Sequence, residues 1–294
     1  MSLLEKIFKK KVIIFMMAIS LVLAFILLLR WGFQHSRGTP VSITVDQKQP
    51  PQIKVQYYDK EINFQNGIDQ PFWDSLANNE IELIHQVTAL PWPRAFMSSV
   101  SVKTFHNNEN IYFYLSWQDE TENRELSAGR FSDACAIMFP LDEKVEKSTI
   151  MMGFMGRANI WHWQAVADQQ IWFKFDREKV YVDFHYPFEQ QETFTVSKQS
   201  PTSAVSDLMA VRVGTVTLKP SQEVTGRGIY TNGFWQVVLR RAIQPSDSIE
   251  TINFEFKKQL CAFAVWNGES ADRGGRKSIS DWVELEILTR DNSN

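Results

Sequence analysis

The sequence predicts an all-β fold, an antiparallel β-sandwich that follows a single N-terminal transmembrane helix. Short runs rich in valine, isoleucine, tyrosine and phenylalanine alternate between apolar and polar residues, and asparagine, glycine, aspartate and proline separate these runs. A period of two residues is typical of antiparallel strands that bury one face. The chain shows no βαβ alternation, and an uncharged apolar run stands near its N-terminus.

Six segments show the alternation most clearly, and each is a predicted strand: SVSVKTFH (99–106), IYFYLSW (111–117), KVYVDFHY (179–186), AVRVGTVTL (210–218), FWQVVLRRAI (234–243) and WVELEIL (282–288). The asparagines between the first two favour a tight turn that joins them. Apart from the N-terminal run, only DSLANNEIELI (74–84) is predicted to be helical. We therefore expect two packed sheets in the main domain.

The N-terminus predicts a membrane anchor over residues 12–31. Lysines precede the apolar run VIIFMMAISLVLAFILLL, which is close to the roughly 20 residues that cross a hydrocarbon core as a helix. No small-residue cleavage site follows it, so the anchor is expected to stay attached. The leading lysines place residues 1–11 in the cytoplasm. A linker (32–52) and the main domain (53–290) of this single-pass protein are then expected on the periplasmic, extracytoplasmic side.

Composition and charge exclude several classes of protein. Of the 294 residues, 44% are hydrophobic and 22% are charged, which is typical of a globular domain and not of a disordered chain. A net charge of -3 at pH 7 provides no basic surface for nucleic acid. The sequence contains no GxSxG, Walker, GxGxxG or HExxH motif. We therefore predict no catalytic residue from these motifs.

The two cysteines, Cys135 and Cys261, belong to neither a CxxC nor a CxxCH pattern. This excludes zinc ribbons, iron–sulfur clusters and covalently attached haem c. Both cysteines lie in apolar, strand-like runs, where a buried free thiol is the favoured state. A disulfide between them stays open as the alternative.

One segment, MMGFMGRANIWHWQAVADQQ (151–170), combines three methionines, two tryptophans and a histidine without a clear hydrophobic period. Soft sulfur and aromatic rings fit three interpretations: core packing, a reactive site, or the wall of an aromatic cofactor. The residues alone do not decide between these three.

Three blocks resemble a known family: FMGRANIWHWQA (154–165), NGFWQVVLRRAI (232–243) and CAFAVWNGESADRGGRKSISDWVEL (261–285). They are similar to the ethylbenzene dehydrogenase-type haem-binding domain. That domain is the γ subunit of dimethyl sulfoxide reductase-family molybdenum enzymes, which include nitrite oxidoreductase, nitrate, chlorate and selenate reductases and dimethyl sulfide dehydrogenase. The stretch GGRKSIS is the most specific part. The resemblance implies a sandwich akin to DOMON and carbohydrate-binding modules.

The resemblance also implies one non-covalent haem b with a methionine sulfur and a lysine amine as axial ligands. By position, the lysine is Lys277 in GGRKSIS and the methionine is Met155 in FMGRA. Met151 and Met152 remain alternatives for the sulfur ligand. His162 remains an alternative to the lysine, because histidine is a common haem ligand.

Neighbouring residues acquire roles at the cofactor through the same resemblance. Asn159, Trp161 and His162 belong to the NIWHW block and are expected to line the haem. For Trp161, a place in the core is an equal alternative to a place against the macrocycle. Arg276, with Arg273 or Arg157 as alternatives, is expected to neutralise a haem propionate through charge-assisted hydrogen bonds.

A methionine–lysine pair suits a one-electron relay. A thioether is a soft ligand that favours ferrous iron, and an amine is a harder donor that favours ferric iron. An amine ligates only without its extra proton, and lysine has an ordinary pKa of about 10.4. Burial and the positive iron both lower that pKa. Two axial ligands leave no open position for a substrate, so the site is expected to transfer electrons.

Sequence and resemblance together predict an electron-transfer cytochrome b subunit. The implied partners are a molybdopterin catalytic subunit, an iron–sulfur subunit, and a soluble cytochrome or quinone-linked redox partner. One alternative is a membrane-tethered carbohydrate- or ligand-binding sandwich without redox activity. A second alternative is an assembly subunit that has kept the fold and lost the cofactor.

Overall fold

The computed structural model describes residues 50–86, 97–142, 156–173, 181–183, 195–197, 202–211, 215–246, 249–255 and 257–290. These residues belong to the unit that begins at Pro50. Within them the chain forms fifteen strands, two short α-helices and one turn of 3₁₀ helix. The predicted all-β class is therefore confirmed for this part of the chain.

The strands are β1 (Gln52–Tyr57), β2 (Asn79–His85), β3 (Ser99–His106), β4 (Asn110–Gln118), β5 (Ala134–Pro140), β6 (Ala158–Gln164), β7 (Tyr181–Asp183), β8 (Thr195–Ser197), β9 (Val205–Ala210), β10 (Thr217–Leu218), β11 (Thr225–Thr231), β12 (Phe234–Ala242), β13 (Lys258–Trp266), β14 (Ser278–Ser280) and β15 (Val283–Ile287). The helices are α1 (Gln70–Asp74) and α2 (Ala165–Trp172), and the 3₁₀ turn covers Phe64–Asn66.

Thirteen strands form one continuous sheet with the order β10-β9-β6-β5-β13-β14-β2-β3-β4-β12-β11, and β1 and β15 join beside this path. Residues from both halves of this path belong to one shared core, so the two halves pack face to face. Most pairs are antiparallel, but β1 runs parallel to both β15 and β3. The predicted antiparallel sandwich is therefore confirmed, with β1 as an exception that alternation cannot predict, because alternation indicates a buried face and not the direction of the neighbouring strand.

The inward residues of both halves form one hydrophobic core. In β3, Val100 and Val102 are buried while Ser99 and Ser101 face outwards. Large rings fill the centre and are each at most 2% exposed: Trp117, Trp161, Trp163, Trp235, Phe113, Phe139 and Phe254. Burial of each such side chain stabilises the fold by about 1.5–3 kcal/mol.

Two opposite charges, those of Asp207 and Lys219, are paired inside the sandwich. Asp207 and Lys219 form a fully buried ion pair, with 3.1 Å between Oδ2 and Nζ. Asn159 donates to Asp207 Oδ1 at 2.6 Å, and Lys219 also donates to Thr251. The pairing is required because an unpaired buried charge is strongly destabilising.

Four predicted strands are confirmed, since β3, β4, β12 and β15 match the predicted segments within one residue at each end. The predicted turn between β3 and β4 is also present, with Asn108 at a φ of 69°. Within the predicted strand 179–186, the described residues are those of β7.

Two local predictions are wrong. The segment 74–84 is not a helix, because α1 ends at Asp74 and β2 follows. In β2, Ile81 and Leu83 are buried while Glu80 and Glu82 are exposed, so the period is two and not 3.6. The segment 210–218 is not one strand, because the chain reverses and β10 pairs antiparallel with β9.

Cys135 and Cys261 are both buried and free, which confirms the favoured state of the two thiols. Burial raises the pKa of each thiol well above its ordinary value, so both are poor nucleophiles. The predicted anchor (12–31) lies outside the described residues. Among the helices that are described, none has the length and hydropathy of a membrane span.

Candidate functional site

Strands β5 and β13 present four alanines on the face opposite the core. Ala134 and Ala136 flank the core residue Cys135 on β5, and Ala262 and Ala264 occupy matching positions on β13. Ala136 lies directly opposite Ala264. Each side chain is a single methyl group, so the four form a patch of small apolar residues, and each residue is 3–9% exposed. We call these four residues the alanine face.

Larger side chains surround the alanine face. Trp266, Ile279 and Trp282 belong to the same apolar cluster, and Met138, Ile160 and Leu260 pack against it. His162 lies opposite Ala136 on the neighbouring strand β6, so its side chain is on this face as well.

Lys277 lies at the edge of the alanine face, as the last residue of the loop 267–277 between β13 and β14. Its Nζ is 4.6 Å from the centroid of the Trp266 ring. Among the described residues, no oxygen lies within hydrogen-bond or ion-pair distance of this amine. Burial lowers the pKa of Lys277 to about 8, because a buried environment disfavours the ammonium form.

Trp266 also contacts the predicted alternative ligand. The ring centroids of His162 and Trp266 are 4.9 Å apart, with an angle of 52° between the planes. The structure therefore brings Lys277 and His162 to the same indole ring. These are the two residues that the sequence nominates for one axial position.

Asn159 and Trp161 lie on the other face of β6. Both are 0% exposed, and Trp161 Nε1 donates to Asn159 Oδ1 at 3.2 Å. The guanidinium of Arg241 lies 5.3 Å from the Trp161 ring centroid. The strand therefore separates these two side chains from Lys277 and His162, and the geometry fits the core interpretation of Trp161.

The loop that carries Lys277 turns tightly at the sequence RGGR. Arg273 and Arg276 exchange backbone hydrogen bonds of 3.1 and 2.9 Å, and Gly274 between them has a φ of 53°, which glycine adopts at little cost. Arg276 Nη2 donates to the Ser270 carbonyl at 3.5 Å. The buried Arg276 Nε has no hydrogen-bond partner in the described part of the chain. This donor is available to an anionic group.

Three buried aspartates hold the loop 267–277. Asp119 Oδ1 accepts from Asn267 Nδ2 at 3.1 Å, and Asp133 Oδ1 accepts from Gly268 N at 2.8 Å. Asp272 Oδ2 accepts from Asn267 N at 3.2 Å. The contacts of Asp119 and Asp133 join strand ends of the sandwich to the loop that ends at Lys277, and the contact of Asp272 lies within that loop.

Burial raises the pKa of all three aspartates, to about 6 for Asp119 and Asp272 and to about 7 for Asp133. Asp119 adds to the effect on the other two, because a nearby negative charge disfavours ionisation. Sequence reasoning missed this group. The signal for it in the sequence is a carboxylate beside an apolar strand, such as Asp133 in the segment SDACA (132–136).

The described residues fit a flat apolar cofactor with an anionic edge. The alanine face provides apolar contacts from small side chains, Lys277 provides a nitrogen without a competing oxygen, and Arg276 Nε provides a donor without a hydrogen-bond partner among the described residues. Met155, Met151 and Met152 lie outside the described residues. Histidine, cysteine, aspartate and glutamate form no group of three that could hold a metal ion within the described ranges.

A family model described as ethylbenzene dehydrogenase matches residues 70–278. A protein of Haloferax mediterranei, named as a heme subunit of a respiratory nitrate reductase, is 25% identical over 216 residues, which cover 72% of this chain and 65% of the relative. The chlorate reductase subunit gamma of Ideonella dechloratans is 24% identical over 180 residues, or 60% of each chain. The chain thus matches less than two thirds of the length of these two relatives.

The dimethylsulfide dehydrogenase subunit gamma of Rhodovulum sulfidophilum is 27% identical over 233 residues, which cover 74% of each chain. Among solved structures, a carbohydrate binding module of family 9 from Caldicellulosiruptor kristjanssonii, in complex with glucose, has a TM-score of 0.42 and 11% identity. That comparison covers 81% of this chain and 96% of the module.

Proposed function

Because the chain belongs to the ethylbenzene dehydrogenase family, we propose that it is an electron-transfer subunit that binds one haem b without a covalent bond. One observation carries the proposal: the Lys277 amine lies beside the alanine face, over an indole and without an oxygen partner among the described residues. The relatives named as heme or gamma subunits support a redox subunit without a catalytic site of its own.

Each residue has a distinct role in this proposal. Lys277 would hold the iron through its amine nitrogen, and Met155, with Met151 or Met152 as alternatives, would hold it through sulfur. Arg276 would donate from Nε to a propionate, and the alanine face would contact the macrocycle. When bound, the haem supplies a reversible one-electron couple.

The surroundings of Lys277 favour loss of its proton. The described residues place no carboxylate against the ammonium group, so no ion pair has to be broken before the nitrogen becomes a ligand. Burial already lowers the pKa of the amine to about 8. A positively charged iron would lower it further.

We infer the partners from the same relatives. A molybdopterin catalytic subunit and an iron–sulfur subunit would exchange electrons with this chain, and a soluble cytochrome or quinone-linked protein would be the external partner. The anchor (12–31) would tether the domain on the periplasmic side. Fractionation of cells tests the anchor, since a chain that lacks residues 1–31 should leave the membrane fraction. If the full-length chain and the shortened chain were distributed equally between the membrane and soluble fractions, the anchor would be excluded.

The test of the cofactor is the absorption spectrum of the purified full-length chain. We expect a Soret band and a haem stoichiometry near one, and Lys277→Ala should remove the low-spin spectrum of the wild type. Lys257→Ala is the matched control, because Lys257 is exposed. His162→Ala should leave the ligation unchanged if lysine is the ligand. A wild-type chain without a Soret band would refute the proposal.

A further inference from the structure

The pairing of β13 with β14 places Trp266 and Lys277 opposite each other. Val265 pairs with Ser278, so Trp266 and Lys277 are the next opposed positions beyond the paired residues. Directly opposed residues of an antiparallel pair have their Cβ atoms about 4.5–5.5 Å apart. The distance of 4.6 Å between Nζ and the ring centroid is thus a consequence of strand register, and not of a chance position of a surface lysine.

The indole of Trp266 is held from several sides. Its Nε1 donates to the Gly274 carbonyl at 3.1 Å, within the same loop that ends at Lys277. The His162 ring packs against it at 4.9 Å, and the residue is 8% exposed. Because a hydrogen bond and the His162 ring fix the indole of Trp266, its face has a defined position against which the Lys277 side chain packs.

We propose that Trp266 is the positioning residue for Lys277, and that its indole face holds the amine at the edge of the alanine face before haem binds. The proposal rests on the proposed function, in which Lys277 is an axial ligand. A ring face attracts an ammonium group without accepting a proton and without a directed hydrogen bond. The amine is therefore kept in place by a contact that is readily exchanged for a metal.

The first test uses the haem-free full-length chain and follows acylation of Lys277 by a small amine reagent with mass spectrometry. Trp266→Leu removes the ring face, and we expect Lys277 to react roughly three- to tenfold faster, as loss of a cation–π contact implies. Trp266→Phe keeps a ring face and should stay close to wild type. Trp266→Met is a second variant without a ring, so the test does not depend on the folding of one variant.

Two controls separate positioning from general loosening of the fold. Trp172→Leu removes a matched indole, whose Nε1 donates to the Gly226 carbonyl at 3.0 Å and whose ring lies under Arg227. This variant should leave the reactivity of Lys277 unchanged. Lys103, which lies over the Tyr114 ring, is an internal reference and should react equally in every variant. An unchanged rate at Lys277 in Trp266→Leu, or equal rates in Trp266→Phe and Trp266→Leu, would overturn the proposal.

The second test uses the haem-loaded chain and the spectral signature of amine ligation. We expect Trp266→Leu to lower the low-spin fraction and Trp266→Phe to restore most of it. If Lys277→Ala changes the spectrum while Trp266→Leu leaves both spectrum and reactivity unchanged, the positioning role fails and the proposed function stands. If the wild-type chain takes up no haem, the proposed function fails, and the reactivity test still decides whether Trp266 holds the amine.

Discussion

Asp119 accepts a hydrogen bond from the side chain of Asn267, with 3.1 Å between Oδ1 and Nδ2, although 148 positions separate the two residues in the sequence. The contact joins the end of β4 to the first residue of the loop 267–277. The loop that ends at Lys277 is therefore held by a buried carboxylate, and the charge of that carboxylate depends on pH.

We predict that the stability of the fold falls as the pH rises from about 4 to about 7. Burial raises the pKa of Asp119 from 3.8 to about 6 and that of Asp133 to about 7. Between pH 3.8 and about pH 7 the folded state binds more protons than the unfolded state, so the free energy of unfolding decreases as the pH rises. Asp119→Asn keeps the acceptor for Asn267 and is neutral at every pH. We expect it to increase the free energy of unfolding at pH 8 by about 1–2 kcal/mol.

Urea unfolding at pH 5 and pH 8 checks this expectation. The gain from Asp119→Asn should be smaller at pH 5, where the native carboxyl is mostly protonated. Asp59→Asn, at an exposed position, is the control and should follow the wild type at both pH values. If the free energies of unfolding of Asp119→Asn and the wild type differed by the same amount at pH 5 and pH 8, the buried carboxylate would have no part in the pH dependence.

We predict that a larger side chain on the alanine face displaces the cofactor. Ala136 lies between His162 and Ala264 in the strand register. Ala136→Leu adds three carbons to the alanine face, and we expect haem retention to weaken by roughly tenfold, or about 1.4 kcal/mol. Haem transfer to an acceptor apoprotein measures the retention. Ala128→Leu, at an exposed turn position, should retain haem as the wild type does, and equal retention by Ala136→Leu would place the cofactor elsewhere.

We predict that Gly228→Ala destabilises the sandwich through a clash with one ring. A Cβ atom at Gly228 would lie 2.2 Å from the Cζ2 atom of Trp163. The site is rigid, because Asp168 Oδ1 accepts from Gly228 N at 2.7 Å and from Trp163 Nε1 at 3.1 Å. We expect a loss of about 1–3 kcal/mol in the free energy of unfolding. Thermal and urea unfolding provide the measurement.

A double variant tests the cause of that loss. Trp163→Phe removes the indole atoms that meet the new methyl group, so Gly228→Ala with Trp163→Phe should be more stable than the sum of the two single losses predicts. Strict additivity would show that the clash is not the cause.

The local alternation of apolar and polar residues explains which strand predictions were confirmed. Alternation in SVSVKTFH and FWQVVLRRAI predicted β3 and β12, because a strand in contact with a core must place every second side chain inwards. The same rule, applied to NEIELIH, describes β2 correctly. The helical prediction for 74–84 failed because the first residues of that segment end α1 and the remainder begins a strand.

For the candidate site, the sequence by itself determined the family blocks and the candidate ligands. The tertiary structure decided which face of β6 each side chain occupies, and it separated Trp161 from His162. It also decided that Trp266 lies opposite Lys277 and that Asp119 holds the loop. The physical reason is that alternation is set by neighbouring residues, whereas strand register and long-range hydrogen bonds exist only once the distant segments pack together.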